Sequence, residues 1–265
     1  VKLDLLTLLG LVLAIGGIVG GLILEGGELK DIAQFTAALI VIGGTIGAMF
    51  INTPLPVLKG AIRRFRHVFF TPANSRDADI EALIHFANKA RKTGLVSLED
   101  ELPKIVDPFL RNAINMAVDG SDLSELRAAM ELQIAIEEHH SEAEARVFEA
   151  AGGYAPTIGI IGAVLGLIQV MKNLADINEV GHGIAVAFVA TVYGVALANV
   201  VLLPAANKMK AQIAAETERK EMLLEGVTGI VEGLNPKLIL QKLEAYHKSD
   251  KPGSRRSGGP RAMAA

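Results

Sequence analysis

The sequence predicts an all-α integral membrane protein: four transmembrane helices with a large helical cytoplasmic insertion between helices 2 and 3. Three observations predict this. Residues 5–24, 32–51, 154–171 and 183–206 are almost wholly apolar and hold no Asp, Glu, Lys, Arg or His. Each stretch is close to the ~20 residues that a helix needs to cross the hydrocarbon core. The charge is segregated: the 26 basic residues lie between 59 and 146 or between 208 and 261, apart from Lys2, Lys30 and Lys172. Outside the apolar stretches, hydrophobic residues recur at helical spacing and strand signals are nearly absent.

Taken in order, the first stretch is too long for a signal-peptide core and no A-x-A-like cleavage site follows it, so it reads as a retained span. The connections at 25–31 and 172–182 are acidic and carry one lysine each, whereas Lys59, Arg63, Arg64 and Arg66 follow the second stretch and Lys208 and Lys210 the fourth. Lysine and arginine mark cytoplasmic flanks, which puts both basic segments and both termini inside. With no tryptophan, the interfacial belt rests on Tyr154, Tyr193 and phenylalanines. The absence of cysteine excludes disulfides and thiolate chemistry.

Within the insertion, Ile80, Leu83, Ile84 and Ala87 follow Asp77 and Asp79 at helical spacing, and Thr93-Gly94 closes that helix. Ser97-Leu98-Glu99-Asp100 reads as a capping box opening the next, which continues through Ile105, Phe109, Leu110, Ile114 and Ala117 to a turn at Asp119-Gly120-Ser121. A long helix from Leu123 reaches the membrane near Gly152, with Leu126, Met130, Ile134 and Val147 on its core face. After the fourth stretch the pattern runs through Gln212, Glu216 and Arg219 to Gly226. Asn235-Pro236 then opens a short amphipathic helix carrying Leu238, Leu240, Leu243 and Tyr246. The expected organisation is a first transmembrane hairpin at 1–51, a cytoplasmic helical domain at 52–152, a second hairpin at 153–206, a cytoplasmic helical extension at 207–250 and a disordered tail at 251–265.

Small residues dominate the spans: Gly16/Gly20, Gly17/Gly21, Gly43/Gly47 and Gly162/Gly166 sit four apart, with Gly159 and Ala163 beside the last pair. In lipid, close backbone approach replaces the hydrophobic drive between helices. One such pair is ordinary packing; the full set favours an oligomer or a sheath around another helix. Polar atoms in the last two spans are few: Thr157, Gln169, Thr191, Tyr193 and Asn199. A lone hydroxyl there is usually satisfied by its own helix, and gains meaning only on a shared wet seam. Pro156 and Pro204 each remove a backbone hydrogen bond, tolerated in membranes where a cavity or moving element exists.

Arg91 and Lys92 stand on one side of the Thr93-Gly94 turn, with Glu99, Asp100 and Glu101 on the other. This is a solvated face or a protein-docking patch, where charge sets register and encounter rate. His140 and Glu144 lie one helical turn apart but are too few for a metal, so no metal site is expected. No phosphate-cradling loop, Ser–His–Asp set or paired carboxylates argue for an enzyme, and nothing points to nucleic acid. If the chain moves ions, the carboxylate that carries them belongs to another chain.

The block Ala155-Pro156-Thr157-Ile158-Gly159-Ile160-Ile161-Gly162-Ala163, then Ala190-Thr191-Val192-Tyr193-Gly194, then Leu203-Pro204, resembles the A-subunit of the bacterial flagellar motor stator, the MotA/PomA family within the MotA/TolQ/ExbB proton-channel superfamily. The resemblance extends over nearly the whole chain. Relatives of the TolQ/ExbB type share the last two spans but have three in all. What the resemblance implies is a homopentamer around a dimer of B-subunits of the MotB/PomB type, each with an ion-binding aspartate on its one membrane helix. The complex would conduct protons across the inner membrane and convert the flux into torque on the rotor. Thr191, Ala163, Thr157 and Tyr193 would then line the ion path, and Pro156 and Pro204 would couple protonation to helix rearrangement. Arg91, Lys92, Glu99 and Asp100 would meet the rotor protein FliG.

The resemblance also implies a multi-pass protein of the bacterial inner membrane in contact with lipid, with no resident cofactor. Sodium wants several oxygen ligands; sodium-driven relatives carry threonine where this chain has Ala163, which offers no oxygen. A proton is therefore expected over sodium. Asp100 and Leu102 depart from the all-glutamate pattern of some sodium-type loops. The alternatives are a sodium-driven stator, a TolQ/ExbB-like energiser of another envelope machine, and a membrane scaffold without ion flux.

Overall fold

The computed structural model describes residues 2–71 and 76–249; the tail expected at 251–265 lies outside them. The described chain is helical, with four helices long and apolar enough to cross a membrane: Leu5–Leu24, Phe35–Asn52, Leu123–Lys172 and Ile177–Val231. The chain divides into two units, residues 1–73 with 139–213 and residues 74–138 with 214–265.

In the first unit, the span Leu5–Leu24 buries none of its residues in this chain. Apolar on every face, it is built for lipid or for other chains as its surroundings. Asp4 caps it, its carboxylate accepting from the Thr7 amide at 3.2 Å. The helix Leu29–Ile32, a turn at Ala33 and extended Gln34 precede the second span, which therefore starts at Phe35 rather than at Ile32. That span contains a π-helical stretch, Leu39–Gly43. Buried Thr45 donates its hydroxyl to the Val41 carbonyl at 2.6 Å, the kind of local partner that backbone needs where water is absent.

A helix at Leu55–Val68 follows, with Pro54 at its N-cap. It buries Leu58, Ala61 and Val68 and exposes Lys59, Arg63 and Arg66. Phe65 stacks on Phe148 at 4.9 Å, and Arg64 pairs with Glu144 at 2.6 Å. Just beyond it, Phe70–Thr71 pairs antiparallel with Lys2–Leu3, and the Asp4 amide donates to the Phe69 carbonyl at 2.9 Å. The near absence of strand signals thus leaves room for one two-residue ladder. Residues 139–172 and 177–213 supply the remaining helices of this unit.

The second unit is a helical domain around Leu83, Leu98, Phe109, Ile114, Met130 and Leu223. The helix Arg76–Thr93 ends as expected, because Gly94 takes φ 87°, a conformation open to glycine. The capping box expected at Ser97 does not form. Residues Leu95–Lys104 make a 3-10 helix, and the Ser97 hydroxyl donates backward to the Gly94 carbonyl at 2.7 Å. Pro103 and extended Ile105 end that segment, so the next α-helix, Pro108–Val118, starts at Asp107, whose carboxylate accepts from the Leu110 amide at 2.9 Å. Leu126, Met130, Ile134 and Val147 are all buried, each within its own unit.

The helix expected to stop at Gly226 continues to Val231. A methyl at Gly226 would stand 2.6 Å from Leu83 Cδ1, so this glycine serves close packing. The stop comes at Gly233, with φ 70°. The last helix, Pro236–Ser249, begins at Asn235-Pro236 as expected.

Candidate functional site

The third and fourth spans meet along a seam made of what their side chains lack. A methyl at Gly159 would stand 2.9 Å from the Ala190 carbonyl oxygen and 3.3 Å from the Gly194 Cα. One at Gly194 would meet the Ala155 carbonyl oxygen at 2.5 Å, and one at Gly166 the Gly183 carbonyl oxygen at 2.7 Å. The second span joins through Ile40 and Ile158, which lie against Gly162 and Gly44. Ala37, Val41, Val189 and Ala190 form a small buried cluster beside it. Backbones this close gain dispersion contacts without any drive from water, the packing mode of membrane helices.

Thr191 and Ala163 are half-buried on these two helices. The Thr191 hydroxyl donates to the Ala187 carbonyl of its own helix at 3.1 Å. Exposed Thr157 does the same to Tyr154 at 2.8 Å, and Asn199 to Val195 at 2.9 Å. Tyr193 differs, since its hydroxyl donates to the Ile32 carbonyl ahead of the second span. These residues thus share one helix pair but not one polar cluster: each hydroxyl proton is held by backbone, and the oxygen lone pairs remain for a further donor.

The two prolines act differently. The helix Leu123–Lys172 passes through Pro156 without interruption. Pro204 follows a second π-helical stretch, Leu197–Leu202, in which the Leu203 amide reaches the Ala198 carbonyl five residues back. A proline lacks the amide that would close the preceding turn. The widened turn reroutes bonding around the gap, and such π-turns concentrate at functional positions. No signal in the sequence marks either π-stretch, although Pro204 marks where to look.

In the second unit, Arg91, Lys92, Glu99 and Asp100 are all exposed, and none joins an ion pair among the described residues. Their neighbours are engaged: Glu101 binds Lys89 at 2.6 Å and Lys104 at 3.0 Å. Those hydrogen bonds, to Lys89 first and Lys104 second, pull the Glu101 carboxyl down to about 2. Leu98, fully buried, anchors the 3-10 helix that presents Glu99 and Asp100. Both cations and both anions therefore stay available to a partner. The site reading missed a deeper set. Arg219 donates twice to Asp79, at 2.6 and 3.0 Å, and once to Asp107 at 2.8 Å. The Asp79 hydrogen bonds raise the Arg219 pKa despite burial. Burial would raise Asp107, but the Leu110 amide and Arg219 hold it low. Glu144, one turn from His140, is taken by Arg64.

Residues 101–222 match the model of the MotA/TolQ/ExbB proton channel family, and residues 8–94 match that of the motility protein A N-terminal region. A motility protein A of Bacillus subtilis is 37% identical over 92% of this chain and 91% of its own length. The chain belongs to the MotA/TolQ/ExbB proton channel family. Two solved structures share its architecture. The C. jejuni MotAB structure matches 94% of this chain and 98% of its own, with a TM-score of 0.89 and 34% identity. The flagellar MotAB stator complex from Bacillus subtilis matches 90% and 94%, with a TM-score of 0.84 and 36% identity. The two amino-terminal spans thus belong to the MotA pattern as much as the seam does.

Proposed function

We propose that this chain is the A-subunit of a flagellar motor stator in the bacterial inner membrane, pairing with a B-subunit to conduct protons and turn the flux into torque. The observation that carries this reading is the uncharged seam. Four apolar stretches without an acid or base cannot relay an ion on their own side chains, so a partner must bring the carboxylate. The likeness to solved MotAB complexes supports a B-type partner. Five copies around two B-subunits, rotor contact with FliG and cytoplasmic termini complete the proposal.

On this reading Thr191 presents its free lone pairs to the partner's carboxyl, while Ala163 withholds the second oxygen that sodium would use. A proton needs only the carboxylate and water. Pro156 and the Pro204 π-turn are the places where binding and release of that proton move helix backbone. One unit charge crossing the membrane releases roughly 2.3 kcal/mol per 100 mV, so each revolution draws on many ions. Exposed Arg91 or Glu99 contacts worth ~0–1 kcal/mol each let the rotor step rather than stick.

Co-expression with the B-subunit in a stator-less flagellated strain, with rotation of tethered cells recorded in sodium-free buffer, tests the whole reading. Sustained rotation is expected. Rotation only with sodium would overturn the ion assignment. A motionless strain holding an inserted complex would favour the energiser of another envelope machine, in which reversing both Arg91 and Glu99 changes nothing.

A further inference from the structure

In the first unit, a cavity of about 400 Å³ lies between the first span, the helix Leu55–Val68 and the fourth span. On the first span, Gly10 and Ala14 lie one turn apart on its wall. A methyl at Gly10 would meet nothing within 4 Å, so the missing side chain leaves room. Phe65 and Phe69, edge to face at 5.5 Å, form a second wall, and Pro204 belongs to the third. The lining is apolar except for Thr7, Asn199 and Lys208. The Lys208 ammonium donates to the Asp4 carboxylate and the Thr7 hydroxyl, which leaves one of its three protons uncommitted.

The helix that carries Phe65 holds Lys59, Arg63, Arg64 and Arg66 and no acid. Of these, Lys59, Arg63 and Arg66 are exposed and join no ion pair among the described residues. The first span beside the cavity exposes Leu6, Leu9 and Leu13. An amphipathic basic helix at the end of apolar spans is suited to the headgroup region.

We propose that the cavity binds an acyl chain of an anionic phospholipid, with its phosphate on the Lys208 ammonium. The first span of a second copy, uncharged along its length, would fill the space but bring no anion to the uncommitted Lys208 proton. The site also places a lipid chain against Pro204 and the π-stretch Leu197–Leu202, so the lipid wedges the backbone where that turn is widened.

Native mass spectrometry of the complex purified in detergent, titrated with phosphatidylglycerol or with phosphatidylcholine of the same chains, tests this. Wild type is expected to retain phosphatidylglycerol about tenfold more firmly. Gly10→Phe fills the cavity and should lose that retention, while Gly10→Ala keeps it and shows that the helix tolerates a side chain there. Lys208→Gln with Asp4→Asn should erase the headgroup preference yet still hold both lipids. Gly10→Phe binding as wild type does, or equal retention of the two lipids by wild type, would overturn the proposal. So would a disulfide between Gly10→Cys of one copy and Asn199→Cys of another, formed without retained lipid, because a second copy then occupies the cavity.

Discussion

The two units solve the same problem, bringing helices together, by opposite means. In the seam of the first, contact depends on absent side chains: Gly159, Gly166, Gly183 and Gly194 let carbonyl oxygens and Cα atoms touch. In the second, contact depends on large ones: Leu83, Phe109, Ile114, Met130 and Leu223 are almost fully buried, with Arg219 clamped to two aspartates. The surroundings explain the difference. Lipid tails are as apolar as leucine, so only close fit favours association there. Water rewards removal of apolar area, at roughly 25 cal/mol per Å², and supports charged groups at the margin of a core. The same chain is therefore sensitive to added atoms in one unit and to removed atoms in the other.

That contrast can be broken most visibly at Gly159. Gly159→Leu should abolish assembly and motility, read as loss of the purified complex, whereas Gly153→Ala, where a methyl meets nothing within 4 Å, should assemble normally. Loss of both would show that the seam is no tighter than its flanks. Next in size is Arg219→Met. Arg219, Asp79 and Asp107 are partly buried, so stranding the two carboxylates costs about 1–3 kcal/mol. The melting transition of the second unit should fall by many degrees, and adding Asp79→Leu should recover part of the loss. An unchanged transition would mean that the clamp adds nothing to the apolar core.

Acid titration should give a smaller effect. Asp107 and Glu137 are held below their ordinary values, the latter by Lys220 and Gln133 against the pull of burial. Their contribution is complete above the unfolded values near about pH 4 and fades as pH falls through the lowered folded ones. Glu221 works the other way: burial, then Glu138 and Glu218, raise it, so its protonation relieves strain as pH drops. Melting followed from pH 6 towards 3 should show net loss, and Asp107→Asn should flatten it. The smallest effect belongs to Arg91→Ala, an exposed charge worth ~0–1 kcal/mol, which should leave melting unchanged; a clear destabilisation would make it part of the core's support rather than a free face.

The legible parts of this fold were those that local chemistry decides. The first span matches at both ends because Asp4 and the loop after Leu24 break an unbroken apolar run, and Gly94 stops its helix through backbone freedom alone. Ser97 misled because Pro103, three residues beyond the proposed box, forbids a long helix from that start, and the tighter 3-10 path leaves Ser97 facing back. Gly226 misled for the opposite reason: a glycine can sit inside a helix when a partner such as Leu83 needs the space. The helix Leu55–Val68 went unread although Pro54 and the spacing of Leu58, Ala61, Phe65 and Val68 announce it. Of the candidate site, the residues Thr191, Ala163, Pro156 and Pro204 come from motif. The Tyr193 bond to Ile32 joins residues far apart along the chain, which no local pattern carries.

The bond between Lys208 and Asp4 joins residues 204 positions apart. At about 5–20 residues per second, a ribosome takes roughly 10–40 s to make that stretch. Throughout that interval the first span sits in the bilayer with its Asp4 cap lacking its cation. The two-residue ladder to Phe70–Thr71 becomes possible much sooner. The last span then arrives as a bolt, and a chain halted before Lys208 offers quality control an unfinished lock.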